Sequence, residues 1–320
     1  MVGRITKKKL ITHNGTFHAD DLFACATLIL LMNKHGYDYD IVRTRDMEVI
    51  KTGDYIFDVG GIYDPKENKF DHHQKGRAGE RDNGITYASF GLVWKEYGLE
   101  LCGGDEDAWQ IIDQKIACPI DAVDNGEDLV IPKYKGIYPY NGENVFLINA
   151  PTWKEEQSLV DKVFLEEVEK VVPLLEREIK VAKDNAEGAR NIKQFYQKSV
   201  DKRVIEIGEA FPRYLYQSVI STFPEPIYLV FKSGHGDSWK VEAVSKGGGS
   251  LVSRKPFPKS WCGFVNKDQK AEEVIGIKGV IFVHDSGFYA NLDTRDNAFK
   301  FAYKALESKN NIFKKLFTNF

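Results

Sequence analysis

Through the first 130 residues the apolar positions switch repeatedly between short buried runs and a helical spacing. The segment "KKLITH" predicts a buried strand, and the stretch from about Asp20 to His35 predicts a helix apolar on most sides. "DIVRTR" and "YIFDVG" predict two further strands. In "ITYASFGLVWKEYG", Ile85, Ala88, Phe90, Leu92, Val93 and Tyr97 fall roughly on one helical face, with Gly98 as the expected stop. "EDAWQIIDQKIACPIDAVDNG" predicts a helix, a break at Pro119, and one or two further turns. Alternation of this kind predicts an α/β sheet of largely parallel strands flanked by helices.

The texture changes after Ser158. From there to about Val200 the chain is charged and helical in propensity, interrupted at Pro173 and Gly188. One kinked helix or two consecutive helices are expected. No heptad repeat persists, so a coiled coil is not. From about Val204 strand-like runs dominate ("VIEIG", "IYLVFK", "WKVEAVS", "GVIFVH"), with glycine loops at "SGHGDS" and "KGGGS". A closing helix is expected from Thr294 to about Glu307. The predicted organisation is an α/β domain at 1–157, a helical connector at 158–200, and a smaller α+β domain at 201–320.

Composition narrows the class without naming a function. A chain of 320 residues with 42% apolar and 28% charged residues is globular and long enough for two cores. Its formal charge of −3 excludes a globally basic nucleic-acid coat, though not a local basic groove. The longest apolar run, Leu22 to Met32, is too short to cross a bilayer, so no membrane partner is expected. Cys25, Cys102, Cys118 and Cys262 form no CxxC pair, which argues against a zinc ribbon or a disulfide framework. With no signal-like N-terminus, a soluble protein of the cytoplasm or nucleus is expected; mitochondrial relatives would carry extra N-terminal sequence. No feature argues for or against a homo-oligomer.

Four of the seven histidines fall in two short stretches, "THNGTFHADDLF" and "FDHHQ". The first brings His13, His18 and Asp20 together; the second, Asp71, His72 and His73. Asp58 stands alone at the end of "YIFDVGG", and "DAVDNG" adds Asp121 and Asp124. Singly, each has a plain structural explanation: a helix cap at Asp20 or Asp21, a turn at Asp124-Asn125-Gly126. Jointly, they lie in loops that an open α/β sheet gathers at the carboxyl ends of its strands. Carboxylates crowded there would repel one another without cations between them. Mixed His and Asp donors suit Mn²⁺, Fe²⁺, Co²⁺ or Zn²⁺ better than Mg²⁺ or Ca²⁺. So large a donor set suits two ions, with Asp58 as the natural bridge.

The ordered set "THNGTFHADD", "FDVGGIYDP", "FDHHQ", "GITYASFGLVWKEYG" and "AVDNG" resembles the MYG (melanocyte proliferating gene product) proteins, a branch of the DHH phosphoesterase superfamily. "GHGDSWKVEAV", "RKPFP", "SWCG" and "GVIFVHDSGF" extend the likeness over nearly the whole chain. The resemblance implies a DHH-type catalytic domain and a 3′–5′ exonuclease acting on single-stranded RNA. It implies that His13, His18 and Asp58 hold one ion and that Asp20, Asp58, His72 and Asp124 hold the other, most naturally as Mn²⁺. His73 would face the reacting phosphate, and Asp71 would orient its neighbours. Where the family pattern suggests Asp, this chain has His18; where it suggests a glycine pair after Gly287-Phe288, it has Tyr289-Ala290.

The reaction expected from such a set is hydrolysis of a phosphodiester or phosphoanhydride by water activated between two ions. No GxSxG elbow or P-loop competes with it. Candidate substrate contacts are Lys75, Arg77 and Arg81 near the metals, and His235, Arg254, Lys255, His284 and Ser286 in the second half. A solvated loop with packed Phe257 and Trp261 explains the Arg254–Trp261 stretch equally well. Two other functions compete with the exonuclease: a phosphoesterase or pyrophosphatase for a small substrate, and a non-catalytic metal-binding regulator.

Overall fold

A computed structural model describes residues 7–234, 236–265 and 269–308. It is a mixed α/β protein that divides into two compact units, Met1–Asp184 and Asn185–Phe320.

The N-terminal unit is built on a five-stranded sheet. In chain order come β1 (Lys8–Thr12), α1 (Ala19–His35), β2 (Tyr39–Arg43), a short α2 (Met47–Ile50), β3 (Tyr55–Phe57), β4 (Tyr63–Asp64) and β5 (Lys69–Phe70). The sheet order is β2-β1-β3-β5-β4, parallel except for β4. Then follow α3 (Ser89–Leu101), α4 (Glu106–Ile112), a π-helical turn at Asp113–Ala117, α5 (Cys118–Asp124) and α6 (Gly142–Leu147). α1 is buried on most of its circumference, as its apolar run requires, and packs on α3. It ends at Gly36, whose left-handed φ of 70° lets its N–H reach the Met32 and Asn33 carbonyls.

Two boundaries differ from expectation. α3 starts later, at Ser89, and runs past Gly98 to Leu101, where the Cys102 N–H closes its last turn on the Gly98 carbonyl. The chain does not break at Pro119, which sits in the first turn of α5, where its missing N–H costs nothing. The irregularity is the π turn just before it.

α7 (Val160–Lys198) is one continuous helix, and the two units divide within it. Phe164, Val168, Val171, Leu175, Ile179, Ala182 and Ala186 form a buried stripe along it. That burial outweighs the roughly 3 kcal/mol an interior proline costs at Pro173. Gly188 is a packing position rather than a break. A Cβ there would lie 2.7 Å from the Leu215 side chain.

The C-terminal unit adds β6 (Val204–Ile207), α8 (Arg213–Ile220), β7 (Tyr228–Lys232), β8 (Trp239–Ala243), α9 (Gln269–Ile275), β9 (Val280–Val283), β10 (Tyr289–Leu292) and α10 (Arg295–Glu307). Its sheet runs β6-β7-β8-β10-β9, with only β6 and β7 parallel. Alternation along β7 fills two cores: Tyr228 and Val230 pack with α10 residues such as Phe301, Leu229 with α8 residues such as Ile220. β10 carries Ala290 fully buried between Val241 and Val283, so its side chain belongs to the core. Among the described residues no helix is long and apolar enough to cross a membrane.

Candidate metal centre

β1, β3 and β5 run side by side in the same direction, so their carboxyl ends open on one edge. His13 leaves β1, Asp58 leaves β3, and Asp71, His72 and His73 leave β5. Asp20 and Asp21 occupy the first turn of α1, and α5 ends on Asp124. His13, Asp58, His72, His73 and Asp124 line an open cleft of about 960 Å³. Asp58 has a left-handed φ of 54°, a conformation that Asp tolerates better than most residues. Its N–H donates to the Phe70 carbonyl at 3.2 Å, which ties the turn to the neighbouring strand end.

Donors and acceptors in the cleft are poorly matched. His13 Nδ1 lies 3.1 Å from the Asn14 carbonyl, which can only accept, so the proton sits on Nδ1. Nε2 lies 3.1 Å from Asp58 Oδ2 and 3.4 Å from Asp21 Oδ2, and these two carboxylates raise the ring's pKa against its burial. His72 Nε2 lies 3.3 Å from Asp58 Oδ1 and 3.2 Å from Asp124 Oδ2, yet is aligned for a hydrogen bond with neither. Asp21 accepts from the His18 N–H through Oδ1, while its buried Oδ2 has no hydrogen-bond partner. Asp20 is better served, accepting from the Ser89 and Phe90 N–H groups at the start of α3.

Burial pushes the Asp20 carboxyl well above its ordinary range, helped by Asp58, Asp124 and Asp121. Burial and Asp58 push Asp21 up to about 7. Asp124 is raised for the same two reasons. Against its own burial, Asp58 is held well below the usual range by His13 and His72. Buried polar atoms without a hydrogen bond, clustered carboxylates and carboxyls forced upward fit a cation-binding set. One donor atom from each member lies within 4.8 Å of the others in His13/Asp21/Asp58, in Asp20/His72/Asp124 and in Asp58/His72/His73. This nitrogen–oxygen donor set fits a borderline divalent ion.

His73 stands at the rim with its side chain 62% exposed. Its Nδ1 and its N–H both contact Asp71 Oδ1, at 2.7 and 3.0 Å, and the Gly61 N–H donates to Asp71 Oδ2. Asp71 chiefly, against the effect of burial, raises the His73 pKa. Asp71 thus fixes the imidazole and leaves its Nε2 on the open side.

The geometry corrects several positions. His18 lines the cleft as the residue before α1 but belongs to none of the three donor groups. It is the N-cap, its ring is 47% exposed, and its Nδ1 lies 3.9 Å from Asp124 Oδ1. Asp21, expected only as a first-turn acid, takes the place beside His13 and Asp58. Arg77 lines the cleft and donates to Thr86 and Asn125, whereas exposed Lys75 does not line it. Arg81 is corrected to a structural cation. It is buried between Asp113 and Asp121, with Nη1 2.6 Å from Asp121 Oδ2, and its charge is reinforced by both. Gly91 leaves room for this pair, since a Cβ there would fall 1.8 Å from the Asp121 carboxylate. Arg254 and Lys255 are likewise corrected. The first donates to the Ser221, Phe223, Pro224 and Pro226 carbonyls, and the second closes the end of α10 on Leu306 and Ser308. Phe257 and Trp261 are core residues, as the alternative explanation of that stretch holds. His284 accepts from the Ser286 N–H, and its Nδ1 lies 2.8 Å from the Ser286 hydroxyl. His235 lies outside the described residues.

Arg45, Asn14 and Asn125 also line the cleft and carried no sequence signal of their own. Arg43 braces the loop after β1, donating to the Gly15 carbonyl and pairing with Asp161.

Fold and cleft together define an α/β protein with a histidine–carboxylate centre at the carboxyl edge of a parallel sheet. Residues 9–306 match the MYG1_exonuc model, described as an uncharacterised protein family, and the chain belongs to this MYG family. It is 30% identical over 335 residues to "MYG1 exonuclease" of Homo sapiens, covering 93% of this chain and 85% of that protein. It is 31% identical over 332 residues to "MYG1 protein C27H6.8" of Caenorhabditis elegans, covering 92% and 94%. Among solved structures, RecJ in complex with Mn²⁺ from Thermus thermophilus aligns with 95% of this chain and 53% of its own, at 13% identity and a TM-score of 0.23. A manganese-bound exonuclease RecJ aligns at 12% identity and a TM-score of 0.24, covering 93% and 89%. Likenesses at such TM-scores carry no argument about this chain.

Proposed function

We propose that the N-terminal unit hydrolyses phosphodiester bonds with two divalent ions, of which Mn²⁺ suits the donors best, and that the chain is a 3′–5′ exonuclease on single-stranded RNA. The observation that carries the reading is the pair of buried atoms His72 Nε2 and Asp21 Oδ2, without a hydrogen bond and set among clustered carboxylates. His13, Asp21 and Asp58 would hold one ion. Asp20, Asp58, His72 and Asp124 would hold the other, with Asp58 common to both. The ions would supply Lewis-acid neutralisation of phosphate charge.

The protein's own groups account for the rest. Asp71 positions His73, whose open Nε2 donates to a phosphate oxygen and gives its proton to the departing oxygen. Arg45 and Arg77 on the cleft wall attract the polyanion. Relatives named MYG1 exonuclease support a nucleic-acid substrate; strand type and polarity come from the family resemblance. A role for residues 201–320 in substrate binding rests on His284 and Ser286, since Arg254 and Lys255 are engaged by backbone carbonyls.

The test is incubation with Mn²⁺ and end-labelled single-stranded RNA, beside a dinucleotide and pyrophosphate, for the wild type and Asp58→Asn. Stepwise shortening from the 3′ end, lost in the variant, is expected. RNA left intact while a small phosphoester turns over would replace the exonuclease with a small-substrate enzyme.

A further inference from the structure

We propose that a second hollow in the N-terminal unit seats a nucleobase, the one carried by the nucleotide whose phosphate occupies the cleft. The inference rests on the phosphodiesterase reading and extends it from the phosphate to the base. The hollow has a volume of about 550 Å³, and its wall includes His18, Asp20 and Asp124. His18 and Asp124 also line the cleft, so the two spaces share a wall. Apolar side chains such as Phe23, Ile120, Val123, Tyr138 and Phe146 make up most of the remaining surface, with Lys115, Glu127, Asp128 and Glu143 also on its wall. A concave, largely apolar space edged by a few polar groups is the common form of a small-ligand site.

Two observations favour a base over another apolar occupant. The first is adjacency. The hollow lies one wall away from a phosphate seated among the carboxylates, and in a nucleotide the ribose spans from that phosphate to the base. Phe23 and Phe146 meet edge to face at 5.5 Å, while Tyr138 is 66% exposed, an aromatic face open for stacking. The second is the adjoining chain from 129 to 154, which carries the exposed aromatics Tyr134, Tyr138, Tyr140 and Trp153, with lysines beside Tyr134 and Trp153. Lys133 lies 5.6 Å from the Tyr134 ring and Lys154 lies 5.0 Å from the Trp153 ring, and both rings are mostly exposed. Aromatics interleaved with cations bind single strands by stacking bases and tracking the backbone. A wall this apolar reads the flat face of a base rather than its edge, so weak discrimination among bases is expected.

The test compares AMP with ribose 5-phosphate, which has the same phosphate and sugar but no base, by calorimetry on the full-length protein with Mn²⁺ present. The wild type is expected to bind AMP at least about tenfold more tightly. Val123→Trp, which fills the hollow, and Tyr138→Ala, at an exposed position, are each expected to bring that ratio close to one. Thermal melting of both variants checks that they are folded. Equal affinities in the wild type, no measurable AMP binding, or a ratio that survives Val123→Trp in the folded protein would overturn the proposal. Failure of the phosphodiesterase reading looks different: Mn²⁺-loaded protein would leave RNA intact while the preference for AMP persisted.

Discussion

Glu242 in the C-terminal unit and the clustered aspartates of the N-terminal unit are buried carboxylates met in opposite ways. In the C-terminal unit Glu242 is almost fully buried. Arg213 Nε and Gln217 Nε2 donate to its Oε1 and the Tyr216 hydroxyl to its Oε2, each at 2.7 Å. Each oxygen that burial strips of water is given at least one donor, as a structural charge requires. In the N-terminal unit Asp20, Asp21, Asp58 and Asp124 crowd one strand edge, with Asp21 Oδ2 and His72 Nε2 left without a hydrogen bond. Ordinary folding would select against such an arrangement, which stores repulsion that an added cation removes. A buried acid alone therefore says little about function. What distinguishes these two regions is whether the protein itself completes the acid's partners.

The sharpest way to break the contrast is Asp58→Asn, which removes the carboxylate shared by two donor groups. Mn²⁺-dependent hydrolysis of labelled RNA should fall by more than about a hundredfold, whereas Glu242→Gln should leave the rate per folded molecule nearly unchanged. Next is Asp21→Asn against His18→Gln. The first should cost about a hundredfold in Mn²⁺ affinity and the second less than about threefold; the reverse order would restore His18 as the ligand. Asp71→Asn should lower kcat by about tenfold to a hundredfold with little change in Mn²⁺ affinity, because it only positions His73.

Stability without metal should depend on pH in a definite direction. The Asp21 carboxyl rises from 3.8 to about 7 on folding, so between those values the folded chain holds more protons than the unfolded one. Metal-free protein should therefore lose stability as pH climbs through that window, and the rise in Tm on adding Mn²⁺ should be larger at pH 8 than at pH 5.5. The smallest effect on activity belongs to Arg254→Ala. Melting should show a loss of about 1–3 kcal/mol from unsatisfied carbonyls, with RNA turnover per folded molecule unchanged.

Much of this contrast was legible in the residues. β1, β3, α1 and the strands β6 to β9 followed from short apolar runs and helical spacing, and His13, Asp20, Asp58, His72 and Asp124 stood out because they fall at strand and helix ends. The short strands β4 and β5 were too brief to carry a period, and α8 and β10 went unseen. Pro173 suggested a break, but the buried stripe along α7 overrides it. His18 and Asp21 exchanged places for a local reason. Sequence placed both near the start of α1, but only the cap geometry turns the Asp21 carboxylate inward and leaves the His18 ring toward water. Charge alone could not separate Arg81, Arg254 and Lys255 from substrate contacts, because their carbonyl and carboxylate partners lie far away in sequence.

Metal stoichiometry tests the central claim most directly. Protein stripped with chelator, dialysed against Mn²⁺ and analysed by elemental mass spectrometry should hold two equivalents in the wild type and at most one in Asp58→Asn. Fewer than one equivalent in the wild type, unchanged by Asp58→Asn, would contradict the account.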